Sequence, residues 1–141
     1  MKNLKTLCEY LILLCIGGAV YYCIELLWRG YSHWSMFLVG GVCFILIGLI
    51  NRVYEYDMSL IAQTVIAGII ITFIELLAGL LFNIAMGLNV WDYSDISYNF
   101  LGQICLPFVY LWQWLSIVGI VLNDYTRYLL FKEMRPKYKL F

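Results

Sequence analysis

The chain has 141 residues, of which 64% are hydrophobic and 13% are charged, and its formal net charge is zero. Its mean hydropathy is +0.85. A water-soluble domain of this composition would lack the polar residues needed to cover its surface, so the composition excludes that class and predicts an all-α integral membrane protein. The expected surroundings are the lipid bilayer, and no nucleic-acid partner is expected.

The first predicted membrane helix covers residues 6–28, which exceeds the roughly 20 residues that cross a bilayer core. Lys2 and Lys5 precede it, as basic residues do in a signal peptide. However, the apolar run continues to Trp28, beyond the point where a cleavage site would lie. We therefore expect a retained spanning helix.

The second and third predicted helices cover residues 36–50 and 60–88. The third is longer than a bilayer is thick, so it must tilt, kink or project. Small residues permit close helix packing in lipid, and several glycines are predicted to do so here. They are Gly18, Gly40, Gly41, Gly68, Gly79 and Gly102.

One face of the third helix is small and polar within an otherwise apolar segment. At about 100° per residue, five residues fall within a stripe roughly 80° wide: Gly68, Thr72, Glu75, Gly79 and Asn83. A carboxylate at mid-membrane costs about 2.5 to 3.5 kcal/mol on insertion scales. Glu75 is therefore predicted to face the other helices.

Residues 89–98 form an amphipathic linker that is predicted to fold back into the membrane interface. The fourth predicted helix, 99–122, contains Pro107, which removes a backbone donor and predicts a kink. The remaining residues, 123–141, are basic and aromatic and are expected to lie along the anionic cytoplasmic leaflet. Together, residues 1–141 are predicted to form a single transmembrane domain.

The distribution of cations predicts the orientation. Four spanning helices place eight of the nine basic residues on one side with both termini: Lys2, Lys5, Arg52, Arg127, Lys132, Arg135, Lys137 and Lys139. Only Arg29 lies elsewhere. The positive-inside rule then predicts a multi-pass plasma-membrane protein with both termini in the cytoplasm.

Two tandem helical hairpins are predicted to share a common origin. A shift of 50 residues aligns Glu25 with Glu75, and a shift of 62 aligns Gly40 with Gly102. The difference is accounted for by an insertion at the linker 89–98. Because each unit has two spans, the repeats would be parallel, with Glu25 and Glu75 in equivalent positions.

Glu75 is the centre of a candidate polar site, for which the sequence offers two readings. In one it couples to a proton or a substrate; in the other it only docks the hairpins through hydrogen bonds. Its expected partners are in the linker or in a stripe of the fourth helix formed by Asn99, Gln103, Tyr110 and Trp114. The full candidate set is Glu75, Asn83, Trp91, Asp92, Tyr93, Asn99, Gln103 and Glu25.

No motif predicts catalysis, a metal site or a cofactor. The chain has no GxxxxGK[ST] phosphate-binding loop, no HExxH and no GxSxG sequence, and it has a single histidine. Its five cysteines are scattered through apolar segments without metal-ligand spacing, so they are interpreted as small hydrophobic residues. We therefore expect a protein that is not an enzyme.

Several motifs resemble those of the putative type IV ABC transporter permease family, small multi-spanning proteins found mainly in Gram-positive bacteria. These are Glu75-x-x-x-Gly79-x-x-x-Asn83, Trp91-Asp92-Tyr93-Ser94 and Asn99-x-x-Gly102-Gln103-Ile104-Cys105, followed by Trp112. The resemblance extends over roughly residues 10–140. It implies a permease that works with a separate ATPase subunit.

The leading hypothesis is therefore a permease-like component of a transport system with an unknown substrate. Because four helices are few for half of an ABC permease, a homo-oligomer is also expected. The alternatives are a membrane scaffold or assembly protein of a mobile element, in which the polar residues only hold the hairpins together, and an intramembrane enzyme.

Overall fold

The computed structural model describes residues 2–141, with the side chains of residues 3–141. Its helices are α1 (Lys2–Arg29), α2 (Trp34–Tyr54), α3 (Leu60–Ala78), which continues as a π-helical segment (Gly79–Ala85), and α4 (Leu106–Phe131). In this part of the chain, four helices are long and apolar enough to cross a membrane. The predicted class, an all-α membrane protein with four spanning helices, is confirmed.

The first three helices differ from the predicted bounds at their ends. The first begins at Lys2 rather than at residue 6, the second extends to Tyr54 rather than to residue 50, and the third ends at Ala85 rather than at residue 88. Hydropathy marks the part of a helix that can cross lipid, whereas the helix itself ends where its backbone groups find caps. At the start of α3, for example, the Ser59 side chain accepts a hydrogen bond from the Ala62 backbone N–H.

The prediction for the fourth helix was wrong at both ends, because α4 runs from Leu106 to Phe131 rather than over residues 99–122. Two short strands, β1 (Asn99–Phe100) and β2 (Ile104–Cys105), pair antiparallel ahead of it. The expected kink at Pro107 was also wrong. This proline lies in the first turn of α4, where its missing N–H would have had no partner in the helix.

The helices pack as two hairpins. Helix α1 packs along α2, α3 packs along α4, and α2 contacts both α3 and α4. Arg29, at the end of α1, pairs with Glu25 and donates a hydrogen bond to the Val90 carbonyl, 3.2 Å away. Glu25 therefore lies at the end of the bundle that carries the α3–α4 connection. Common origin of the two hairpins stays a prediction.

Several predicted packing glycines lie where two helices approach closely. A Cβ atom on Gly18 would come within 2.5 Å of the Phe37 carbonyl oxygen, and one on Gly41 within 2.5 Å of the Leu14 carbonyl oxygen. Gly40 lies against the Tyr21 side chain. Backbone atoms cannot yield as a flexible side chain can, so Gly18 and Gly41 leave α1 and α2 no room for a larger residue.

Gly41→Val should therefore force α1 away from α2. Overpacking of this kind typically costs about 1 to 3 kcal/mol. We expect thermal unfolding in detergent to show that loss for Gly41→Val. The control is Val42→Leu, a substitution at the neighbouring exposed position, which should leave the stability unchanged. Equal stability of the two variants would contradict the close contact between α1 and α2.

Candidate functional site

Glu75 is buried inside the helical bundle, with 5% of its surface exposed. Each of its two carboxylate oxygens accepts one hydrogen bond. The Tyr93 hydroxyl donates to Oε1 over 2.9 Å, and the Trp112 Nε1–H donates to Oε2, also over 2.9 Å. Glu75 thus joins α3 to the α3–α4 connection and to α4. Among the side chains that the structure describes, it forms no ion pair.

Aromatic rings hold the two donors in place. The Tyr93 ring stacks on Phe108 with centroids 4.7 Å apart, and Trp112 contacts both Phe108 and Tyr21, at 6.0 and 5.7 Å. Burial, followed by the charge of Glu75, raises the pKa of the Tyr93 hydroxyl. Tyr93 therefore remains a hydrogen-bond donor at any physiological pH.

Asn83 connects a second group of predicted site residues, which lies between Glu75 and the end of the bundle that carries the α3–α4 connection. Its Nδ2 donates to the Trp91 carbonyl over 3.0 Å and to Gln103 Oε1 over 2.8 Å, and its Oδ1 accepts from the Val90 N–H. The Trp91 indole N–H donates in turn to the Gln103 carbonyl. Asn83 lies in the π-helical segment, a geometry that is frequent at functional sites.

The remaining predicted site residues do not contact Glu75. Asp92 is exposed and accepts from the backbone N–H and hydroxyl of Ser94, and these hydrogen bonds lower the pKa of its carboxyl. Asn99, also exposed, donates to the Ser94 and Ile96 carbonyls. Both residues shape the connection, while Glu25 pairs with Arg29.

The expected stripe of partners on the fourth helix was wrong. Asn99 and Gln103 belong to the β1–β2 segment, and Tyr110 and Trp114 are 56% and 73% exposed. The actual helical partner of Glu75 is Trp112. No local signal in the sequence distinguishes Trp112 from Trp114, because the buried face of α4 is known only from the structure. The buried residues of α4 recur at helical spacing: Trp112, Ser116, Ile120, Asn123, Asp124 and Arg127.

A second buried polar cluster, at the other end of the bundle, was missed. The Asn51 amide donates to Gln63 Oε1 over 2.8 Å and to Asp124 Oδ2 over 2.7 Å. The Tyr138 hydroxyl also donates to Asp124 Oδ2, and the Leu60 N–H donates to the Lys139 carbonyl. Residues 132–141 therefore fold back onto the start of α3.

Arg127 differs most from its sequence interpretation. It was counted among the cations of the tail, but it lies in α4 and is only 3% exposed. Its Nη1 donates to the Gly48 carbonyl over 2.7 Å, and its Nε and Nη2 have no hydrogen-bond partner among the described residues. The predicted surface tail, 123–141, hides this residue, because the first nine residues of that range, 123–131, belong to α4.

A sequence profile of the family described as "Putative ABC-transporter type IV" matches residues 9–139. The chain belongs to this family. The family resemblance noted from the motifs is thereby confirmed. No curated protein and no solved structure matches the chain significantly. Family membership and the four apolar helices together indicate a component of membrane transport.

The match to the ABC-transporter type IV family includes both buried polar clusters. Chemically, the Glu75 cluster can hold a carboxylate in an apolar setting without neutralising it, because both of its donors are uncharged. Within residues 3–141, no three His, Cys, Asp or Glu side chains converge as metal ligands would. A buried carboxylate without a countercharge can exchange a proton or bind a cationic group.

Tyr93→Phe should remove the hydroxyl bond to Glu75 while keeping the ring stacked on Phe108. The expected loss of stability is about 1 kcal/mol, with faster backbone hydrogen exchange in the α3–α4 connection. Tyr98→Phe is the control, because Tyr98 is 82% exposed and its hydroxyl has no partner among the described residues. If both variants exchange at the wild-type rate, the Tyr93 bond does not hold the connection in place.

Proposed function

We propose that this protein is a permease-like subunit of a membrane transport system, and that Glu75 is its functional polar group. The observation that carries the proposal is a buried carboxylate in a spanning helix, held by two uncharged donors. A purely structural role would be served at lower cost by an amide, which makes similar bonds without a charge in the membrane.

The hydrogen-bond donors fit a group that changes its charge. Trp112 and Tyr93 stabilise the carboxylate but add no positive charge, so the negative charge stays available to a proton or to a cationic ligand. Intramembrane carboxylates of this kind commonly mark proton or substrate pathways.

The energy for transport would come from a separate partner protein. The sequence contains no phosphate-binding loop for nucleotide, whereas the family description names an ABC transporter. We infer a separate ATPase subunit, together with a homo-oligomer that brings more than four helices to the membrane. Copurification from native membranes followed by mass spectrometry tests both. Recovery of this chain as a monomer without an ATPase, from membranes where it is active, would contradict the inference.

A scaffold function is the second candidate, and the same contacts favour it. Glu75 joins α3 to the α3–α4 connection and to α4, as expected for a residue that only holds the helices together. In that case the shape of the side chain would matter and its charge would not. Variants that alter charge without altering shape separate the two functions.

Glu75→Gln keeps the shape of the side chain and much of its hydrogen bonding. We expect the stability to change by no more than about 1 kcal/mol, typical of one membrane hydrogen bond, while the phenotype of a gene deletion is reproduced. Glu75→Asp should retain a fraction of the function. Thermal unfolding and complementation of the deletion would be measured side by side.

The matched control is Asp95→Asn, which removes a carboxylate that is exposed on the connection. It should be wild type in both assays. Glu75→Gln that complements as well as Asp95→Asn does would eliminate the transport role of this residue and leave the scaffold function.

We further propose that both termini face the cytoplasm and that the α3–α4 connection faces outward. Arg52 and the tail lie at one end of the bundle, where Lys139 is 3.4 Å from Asp57, and the Asp92 loop lies at the other. The cation-rich end should be cytoplasmic by the positive-inside rule.

In a variant lacking the native cysteines, Asp95→Cys should react with a membrane-impermeant maleimide in intact cells. Lys137→Cys should react only after permeabilisation. Both positions are exposed, so reactivity reports sidedness rather than burial. The reverse pattern would show that the bundle is inserted the other way round.

A further inference from the structure

A narrow apolar groove lies between α1 and α4, with α2 as its floor and Glu75 of α3 at its wall. Its volume is about 100 Å³. The walls are formed mainly by Val20, Ile24, Leu115 and Leu122, and the floor by Val39 and Phe44. An apolar cavity inside a membrane bundle will take up an apolar molecule more readily than water.

The groove opens towards lipid. Helix α1 is held mainly by α2 and touches α4 at few positions, so the two walls are not sealed against each other. Val20 on one rim and Val118 on the other are 38% and 61% exposed. Since both lie within spanning helices, the molecules that reach this opening are those dissolved in the bilayer.

The groove contains few polar groups, and these include Glu75 and Tyr21. Glu75 forms no ion pair among the described side chains, and the Tyr21 hydroxyl has no hydrogen-bond partner there. A molecule that fills the groove therefore meets an acceptor without a countercharge and a free hydroxyl. The complementary group is a cationic amine.

The size of the groove limits the occupant. A helix with its side chains is about 10 Å wide and could not enter a space of this volume. The groove is also smaller than an apolar cavity of about 150 Å³, which admits benzene, so it holds only part of an alkyl chain, and the rest of the chain extends through the open mouth into lipid. A second copy of this chain is therefore excluded as the molecule that fills it. A single alkyl chain is slender enough.

We propose that the groove binds a bilayer-derived, single-chain amphiphile whose chain lies between α1 and α4 and whose amine contacts Glu75. This inference rests on the proposed function, because it names the class of molecule that Glu75 would recognise. Tyr21 would accept a hydrogen bond from the same amine.

The test uses the full chain in phosphatidylcholine nanodiscs and dodecylamine as the probe. Dodecanol and dodecanoate serve as analogues of equal chain length. Binding would be measured by displacement of a spin-labelled alkylamine. We expect dodecylamine to bind at least about tenfold more tightly than dodecanol, the ratio for one charge-assisted hydrogen bond, with dodecanoate weakest.

Val118→Trp should fill the mouth of the groove and weaken dodecylamine binding by about tenfold or more. Ile69→Trp is its matched control, since Ile69 is 64% exposed on α3 and does not line the groove. Both positions face lipid, so both variants should fold, and thermal unfolding would verify this. Equal binding by the two variants would overturn the location of the site.

Glu75→Gln should abolish the preference for dodecylamine over dodecanol, because it removes the charge that the amine contacts. A preference that survives in Glu75→Gln would overturn the contact with the amine. Because binding is measured on the isolated chain, its outcome is independent of transport. If Glu75→Gln complements a deletion yet loses the preference for the amine, the transport role of Glu75 is contradicted and the amine-binding site is supported. If the wild type shows no preference for the amine, only the amine-binding site is contradicted.

Discussion

The hydrogen bonds from Tyr93 and Trp112 to Glu75 are the interaction on which the rest of this structure depends. A carboxylate inside an apolar helix must be solvated by protein, because lipid offers it no donor. Its two oxygens accept from different directions, one from the α3–α4 connection and one from α4. Meeting this requirement places the connection over the end of the bundle, sets the rotation of α4 and brings three aromatic rings together around the site.

The polar groups of the α3–α4 connection also find their hydrogen-bond partners within the protein. Asn83, in the π-helical segment, binds the backbone at Val90 and Trp91, and Gln103 binds both Asn83 and the Trp91 indole. Irregular backbone near a membrane needs partners of this kind, since lipid supplies none. These bonds hold the connection against α3, where the Tyr93 hydroxyl donates to Glu75. They also explain why so many of the polar residues in this chain lie between residues 75 and 103.

Buried hydrogen bonds connect the helices at both ends of the bundle, whereas α1 and α4 are separated by a groove along its side. At one end Glu75 and Asn83 hold α3, the connection and α4; at the other, Asn51, Gln63, Asp124 and Tyr138 hold α2, α3, α4 and the tail. Helix α1 packs mainly on α2, through glycines. The groove between α1 and α4 is the consequence, since α1 has few contacts that would draw it against α4.

By itself, the sequence determined that four apolar helices cross a membrane, that Glu75 faces inward and that the chain resembles the family to which it belongs. These follow from composition and helical period, which report how long and how apolar each face is. Only the tertiary structure decided the partners of Glu75, the start of α4 at Leu106 and the burial of Arg127. The donors lie 18 and 37 residues from Glu75, and polar pairs at such separations leave no local pattern. Packing alone selects Trp112 over the exposed Trp114, because both are equally plausible donors until the rotation of α4 is known.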